Sequence, residues 1–166
     1  MAEAHSELDA TLRAKPPVSL SVRDLHVTYR SDRGPLRAIE GVSFDVTPGS
    51  VLGLVGESGC GKSTVMKALL RLLPDSARTS GQVLVDGADM LAMDARALRA
   101  VRWTKLAFIT QSAMNALDPV IRVGDQIVES IAAHVDVGRE HAWARAEGLF
   151  ALVGLPPERL HEYPHQ

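Results

Sequence analysis

A glycine-rich stretch in the first half of the chain also carries a lysine followed by two hydroxyl side chains. From Gly56 to Ser63 it fits the pattern G-x-x-x-x-G-K-[ST], in which backbone N–H groups surround a phosphate. Glycine permits the required backbone shape and the close approach of phosphate oxygens. We expect Lys62 to reach the β- and γ-phosphates of a nucleotide and the Ser63 hydroxyl to bind Mg²⁺. The alternative is a chance glycine-rich turn, for which a random match is rarer than about one in a hundred.

The residues on either side of this loop predict the elements that position it. Residues 51–55 form an apolar run without polar alternation, which is typical of a strand buried on both faces. Residues 65–73 are rich in helix formers and stop before Pro74. A strand, a glycine loop and a helix in this order place the helix N-terminus, with its free N–H groups and positive dipole end, at the phosphate.

The segment before the loop predicts a small antiparallel sheet. Apolar residues alternate over 18–22, over 25–29 with the opposite parity, and again over 42–46. The change of parity near Asp24 predicts a β-bulge. Residues 30–36 are expected to form a loop.

The segment after the loop predicts mainly helices. Residues 82–85 read as a short strand closed by an Asp86-Gly87 turn, and residues 106–109 as a second buried strand. Asp94 is a suitable N-cap for a helix over 95–101. Residues 123–134 and 139–153 carry apolar side chains at helical spacing, so they predict a helical hairpin.

Composition narrows the class of protein. The chain has 166 residues and a net charge of −2, which fits one globular domain and gives no basic field for nucleic acid. Its single cysteine, Cys60, excludes an intrachain disulfide framework. As a residue near a helix N-terminus it is either a reactive thiol or, as we favour, a small residue that fits the loop. Residues 1–17 are polar, end in two prolines and lack a signal-peptide core, so we interpret them as a mobile leader and the cytoplasm as the default compartment.

The chain resembles the ATP-binding subunits of ABC transporters, in particular those of oligopeptide, dipeptide and nickel importers. Besides the phosphate loop, the stretches that carry the resemblance are 25–29 (Leu-His-Val-Thr-Tyr), 41–44 (Gly-Val-Ser-Phe), 111–119 (Gln-Ser-Ala-Met-Asn-Ala-Leu-Asp-Pro), 123–126 (Val-Gly-Asp-Gln) and 161–166 (His-Glu-Tyr-Pro-His-Gln). It covers the chain from about residue 18 to its end. The stretch after Gln111 and the Tyr-Pro-His-Gln ending are the parts specific to the importer subfamily.

The resemblance implies an α/β P-loop NTPase fold with an ABC-type RecA-like core. Residues 18–110 correspond to the antiparallel β-subdomain and P-loop core, and 111–166 to the Q-loop and the start of the helical subdomain. Tyr29 corresponds to the aromatic residue that stacks on adenine, and Gln111 to the glutamine that approaches Mg²⁺ and the γ-phosphate. The expected metal ligands are Ser63 and Gln111. The expected nucleotide-binding set is Tyr29, Gly56, Glu57, Ser58, Gly59, Cys60, Gly61, Lys62, Ser63, Thr64 and Gln111.

The resemblance also implies cofactors, partners and a location. ATP and Mg²⁺ are the expected ligands. Transmembrane permease subunits are expected to contact residues 111–134, and a second ATP-binding subunit to complete a dimer at the cytoplasmic face of the membrane. In relatives the Tyr-Pro-His-Gln ending is followed by a signature motif, a Walker B aspartate, a catalytic glutamate and a switch histidine. We therefore expect the chain to be the first half of such a domain and, by itself, to be inactive in hydrolysis.

Two other functions remain open from the sequence. The chain could be a module that binds nucleotide or docks on a partner without turnover. It could also be a small-molecule kinase, which shares the phosphate loop, although the preceding strands and the stretch after Gln111 argue against that. Soluble ABC proteins of DNA repair or translation are disfavoured by the importer-like stretch at 111–119.

Overall fold

A computed structural model describes residues 16–32, 34–110 and 116–166. The chain divides into two compact units, one formed by Pro16–Ala107 and the other containing Phe108–Gln166. Each unit has its own apolar core. The proposed leader, apart from its last two residues, and Gln111 lie outside the described residues.

The first unit contains a four-stranded antiparallel sheet. Its strands are β1 (Leu20–Ser31), β2 (Gly34–Val46), β3 (Ala77–Val85) and β4 (Ala88–Asp89), in the order β2-β1-β3-β4. The antiparallel pairing predicted for the segment before the loop is confirmed. The predicted loop at 30–36 is too long, because Ser31 pairs with Gly34 and the hairpin turn is tighter.

The predicted bulge is present in β1. The register of β1 shifts between Val22 and Leu25 against β2, and Asp24 has a φ of 46°. The shift lets Val22 and Leu25 face the same core although three positions separate them, and both are fully buried. Opposite the bulge, a Cβ on Gly81 would overlap the Asp24 backbone oxygen at 2.3 Å, so only glycine fits there.

The two strands predicted to form a parallel core are not observed. Residues 51–55 have no strand pairing, and Val51 and Val55 are 98% and 90% exposed. Leu106 makes only an isolated bridge with Arg102, and the rest of 106–109 is irregular. An apolar strand of this type is ordered by a neighbour on each side, and none of the described strands lies beside either segment.

Two helices complete the first unit. Helix α1 (Lys62–Leu69) follows the glycine loop and buries Val65, Ala68 and Leu69 in the core of the sheet. It ends before the predicted residue 73, and Arg71 just beyond it has a left-handed φ of 53°. Helix α2 (Ala95–Thr104) begins as predicted, because the Ala97 N–H donates to the Asp94 carboxylate at 2.8 Å.

The second unit is the predicted helical hairpin. It consists of α3 (Val123–Ala132), α4 (Arg139–Leu152) and a 3₁₀ turn at Pro157–His161. Its hydrophobic core contains the buried residues Val128, Ile131, Ala142, Ala146, Phe150 and Leu160. The start of α3 packs tightly against the other elements, since a Cβ on Gly124 would lie 2.6 Å from the Trp143 ring and 2.8 Å from the Leu160 carbonyl oxygen. Gly154 ends α4 with a φ of 75°.

Candidate phosphate-binding site

The glycine loop is exposed and contacts β2 at Gly61. Gly61 has a φ of 97°, and a Cβ there would lie 2.6 Å from Ile39 Cδ1 and 2.9 Å from the Ala38 carbonyl oxygen. Both the backbone conformation and the close approach therefore require glycine at this position. Gly59 also has a left-handed φ of 82°, but a Cβ added there would meet no atom within 4 Å.

Helix α1 begins directly after Gly61 without a side-chain cap. Its first turn contains no acidic residue, and the first intrahelical bond runs from the Val65 N–H to the Gly61 carbonyl at 2.9 Å. The N–H groups of Lys62, Ser63 and Thr64 therefore have no acceptor within the helix. Free N–H groups at the positive end of a helix dipole favour an anion such as phosphate.

Lys62 reaches back across the loop. Its ammonium donates to the backbone carbonyl oxygens of Gly56 at 2.7 Å and Glu57 at 2.5 Å, and lies 3.4 Å from Cys60 Sγ. These acceptors are neutral, so among the described residues they hold the ammonium in the loop without cancelling its charge. An anionic oxygen is a stronger acceptor than a peptide carbonyl, because hydrogen bonds between charged groups are stronger than those to neutral ones.

The remaining predicted loop residues are accessible. Glu57, Ser58 and Cys60 are exposed, and Thr64 is half-buried. The hydroxyl of Ser63 makes no hydrogen bond to any residue that the structure describes, and the residue is exposed. An accessible hydroxyl at the start of α1 fits a Mg²⁺ ligand beside bound phosphates. Within the described ranges, no group of three His, Cys, Asp or Glu residues forms a metal site by itself.

Tyr29 lies near the end of β1, in the same unit as the loop. It is half-buried, packs against the core of the sheet and pairs with Leu36 on β2 and Ala77 on β3. It also borders a groove of about 600 Å³ that includes Arg30 and Arg78. Neither arginine was predicted as a site residue, because the predicted strand began at 82 and left Arg78 outside the sheet, while Arg30 fell in the predicted loop at 30–36.

Two carboxyl groups of this unit have altered acidity. A hydrogen bond from Lys105, at 2.7 Å, and one from the Ser19 N–H lower the pKa of Asp86 in the β3–β4 turn. A hydrogen bond from Arg23 lowers the pKa of Asp45 on β2. Both pairs stabilise the sheet and its turns, and neither residue belongs to the glycine loop.

Comparison with known protein families finds one match that covers most of the chain. Residues 39–166 match the model of the ABC transporter family. The matched range includes every predicted site residue except Tyr29.

Comparison with curated proteins finds peptide transport subunits. The chain is 38% identical over 151 residues to the dipeptide transport ATP-binding protein DppD of Bacillus subtilis, covering 89% of this chain and 45% of that protein. It is 41% identical over 156 residues to the probable peptide ABC transporter ATP-binding protein y4tR of Sinorhizobium fredii, covering 92% and 47%. It is 41% identical over 150 residues to the oligopeptide transport ATP-binding protein OppD of Mycobacterium tuberculosis, covering 89% and 24%. The chain thus spans less than half the length of these relatives.

Comparison with solved structures identifies the fold. The dimeric structure of MJ0796, a bacterial ABC transporter cassette, has a TM-score of 0.71 at 21% identity and covers 89% of this chain and 62% of that one. A post-hydrolysis structure of the same cassette bound to ADP and Pi has a TM-score of 0.72, with the same identity and coverage. The chain therefore has a P-loop NTPase fold, as the sequence predicted.

Proposed function

The chain belongs to the ABC transporter family, and we propose that it is part of an ATP-binding subunit that couples ATP hydrolysis to peptide import. The proposed binding of nucleotide rests on the loop that ends at Gly61. Among the residues that the structure describes, it combines three helix N–H groups that have no acceptor within the helix with an ammonium bonded only to neutral acceptors. Such a site favours a polyanion over a neutral ligand.

Each site residue has a proposed part in binding. The Lys62 ammonium exchanges its bonds to Gly56 and Glu57 for bonds to phosphate oxygens, while the N-terminal N–H groups of α1 hold the phosphates in place. Ser63 would hold Mg²⁺, which neutralises charge on the phosphates when it is bound. Tyr29 stacks on the adenine. Gln111 is proposed as a second metal-side residue on the family resemblance alone.

The proposed cargo is a peptide. The relatives described above carry names of dipeptide, peptide and oligopeptide transport proteins, at 38% to 41% identity. Nickel is the alternative cargo that the importer resemblance leaves open. We assign the choice between them to the other subunits of an importer, because the residues that we propose to act in this chain bind nucleotide.

The proposed partners are membrane-spanning permease subunits and a second ATP-binding subunit. Among the described helices, none has both the length and the apolar character to cross a membrane. We place the protein at the cytoplasmic face of the membrane, held there by the permease. The contact surface is assigned to residues 111–134, in which Val120 and Ile121 expose apolar side chains.

An uptake assay tests the coupling and the cargo. The full-length protein, assembled with its permease in liposomes, should import a labelled dipeptide only when ATP is present on the side of this subunit. Lys62→Ala should abolish uptake, whereas Lys67→Ala should not, because Lys67 is an exposed lysine in the last turn of the same helix. Uptake of Ni²⁺ without peptide uptake would contradict the proposed cargo. Uptake that survives Lys62→Ala would contradict the coupling role.

Crosslinking tests the proposed contact surface. A short crosslinker placed at Ala116 or Asp118 of the full-length subunit should join it to the permease. The same crosslinker placed on β2, at exposed Glu40, serves as the control. Crosslinks that form only from the sheet would show that the docking surface is assigned to the wrong unit.

A further inference from the structure

The segment that precedes α3 forms a tight turn. The Ile121 N–H donates to the Asp118 carbonyl at 3.3 Å, which closes a β-turn with Pro119 at its second position. The Asp118 carboxylate accepts from the Val120 N–H at 3.0 Å. We call residues 118–121 the pre-helix turn. Val120 is 77% exposed and Ile121 is 40% exposed, so the turn presents two apolar side chains to solvent.

One side chain holds both ends of this turn. The side-chain oxygen of Gln126 accepts from the Asp118 N–H at 2.8 Å. Its side-chain nitrogen donates to the backbone carbonyl oxygens of Asp118 and Ile121, each at 2.9 Å. Gln126 can reach them because it lies in the first turn of α3, where side chains lean toward the helix N-terminus and the segment before it. The helix start is itself anchored, since the Val123 N–H donates to the Glu162 carbonyl at 3.0 Å.

These contacts require a primary amide of this length. Asp118 offers both a donor and an acceptor from its backbone, and Ile121 offers a further acceptor, so the side chain must accept one bond and donate two. Glutamine does this, whereas an ionised glutamate only accepts and would face the two carbonyl oxygens with negative charge. The set of bonds is therefore specific for glutamine and not for a polar residue in general.

We propose that Gln126 is a positioning residue that keeps the pre-helix turn in one conformation, so that Val120 and Ile121 are ready to contact the membrane-spanning partner. A turn ordered in advance binds more tightly, because the partner does not have to order it. The contact with the partner rests on the proposed function, whereas the ordering of the turn does not.

The experiment compares three variants of the full-length protein. Gln126→Ala removes all three bonds, and Gln126→Glu keeps the side-chain length but removes both donated bonds. Ser130→Ala is the control, because Ser130 donates to the Gln126 backbone carbonyl at 2.9 Å on the same helix without bonding to the turn. Amide exchange at Asp118 and Ile121 is followed by NMR. Permease binding, MgATP affinity and the melting temperature are measured in parallel.

We expect amide exchange at Asp118 and Ile121 to become at least about tenfold faster in Gln126→Ala and Gln126→Glu, since each opening breaks fewer bonds. Permease affinity should fall by about tenfold, while MgATP affinity should stay within about twofold and Ser130→Ala should resemble the wild type. If Gln126→Ala lowers the melting temperature of the whole protein, the positioning role is judged from Gln126→Glu, because glutamate keeps the volume of the glutamine side chain.

Different results would contradict the positioning role of Gln126, its link to the partner and the docking surface. Unchanged exchange in both Gln126 variants would overturn the positioning role. Faster exchange with wild-type permease affinity would overturn the link between the ordered turn and the partner. A wild-type protein that forms no crosslink from Ala116 would contradict the docking surface of the proposed function, whatever the Gln126 variants show.

Discussion

Replacing Gly61 by alanine should disturb the phosphate loop in two ways. The residue has a φ of 97°, and an L-residue in a left-handed conformation costs about 1–2 kcal/mol. The added methyl group would also lie 2.6 Å from Ile39 Cδ1 and 2.9 Å from the Ala38 carbonyl oxygen. The isoleucine end can rotate away, but the backbone oxygen of β2 moves only with its strand. Overpacking of this kind costs about 1–3 kcal/mol, so the total is about 2–5 kcal/mol.

Gly59→Ala is the matched control in the same loop. Gly59 also has a left-handed φ, at 82°, but a Cβ there meets no atom within 4 Å. It should therefore cost only the backbone part, about 1–2 kcal/mol. The difference between the two variants isolates the contact between the loop and β2.

Urea unfolding of the full-length protein measures the loss of folding stability in each variant, and MgATP calorimetry measures the loss of binding free energy. The cost appears as lost stability where the loop keeps its place, and as weaker MgATP binding where the loop moves to relieve the overlap. The summed loss should be larger for Gly61→Ala than for Gly59→Ala by about 1–3 kcal/mol. Equal losses for the two variants would refute the inferred contact between Gly61 and β2.

Two further predictions concern the adenine site and the sheet. Tyr29→Ala should weaken MgATP binding by about 1–3 kcal/mol while Tyr29→Phe keeps it, and calorimetry that finds both variants equal to the wild type would contradict stacking. Asp86→Asn should lower the melting temperature at pH 7. Lys105 and the Ser19 N–H hold the pKa of Asp86 in the folded protein below 3.8. The stabilisation by the Asp86 carboxylate is therefore complete above pH 3.8 and is lost as the pH falls through the lower pKa of the folded protein. A difference in melting temperature between Asp86→Asn and the wild type that persists in stronger acid would contradict this.

Local signals in the sequence predicted much of the first unit. Alternating apolar residues located β1 and the second part of β2, and the change of parity near Asp24 located the bulge, because side-chain period fixes which face is buried. The Asp94 cap and the Asp86-Gly87 turn are likewise set by the chemistry of single residues. The helical hairpin followed from spacing alone.

The parts that depend on distant contacts were predicted wrongly or were missed. The run at 51–55 has the composition of a central strand, but a strand forms only beside partners, and the described strands pair elsewhere. β3 begins at Ala77, ahead of the predicted start at Gln82, because pairing with β1 outweighs the polar character of its first residues. The bonds of Lys62 to its own loop and of Gln126 to the pre-helix turn leave no pattern in the sequence, since they depend on where the backbone carbonyls lie.

Calorimetric titration of MgATP into the full-length protein tests whether the loop around Lys62 is the phosphate site. Lys62→Ala removes the ammonium that Gly56 and Glu57 hold in the loop, whereas Lys67→Ala removes an equal charge from the last turn of the same helix. A charged hydrogen bond contributes about 1.5–3 kcal/mol, so Lys62→Ala should weaken binding by at least about tenfold. Lys67→Ala should leave the affinity unchanged. Equal affinities in Lys62→Ala and the wild type would contradict the assignment.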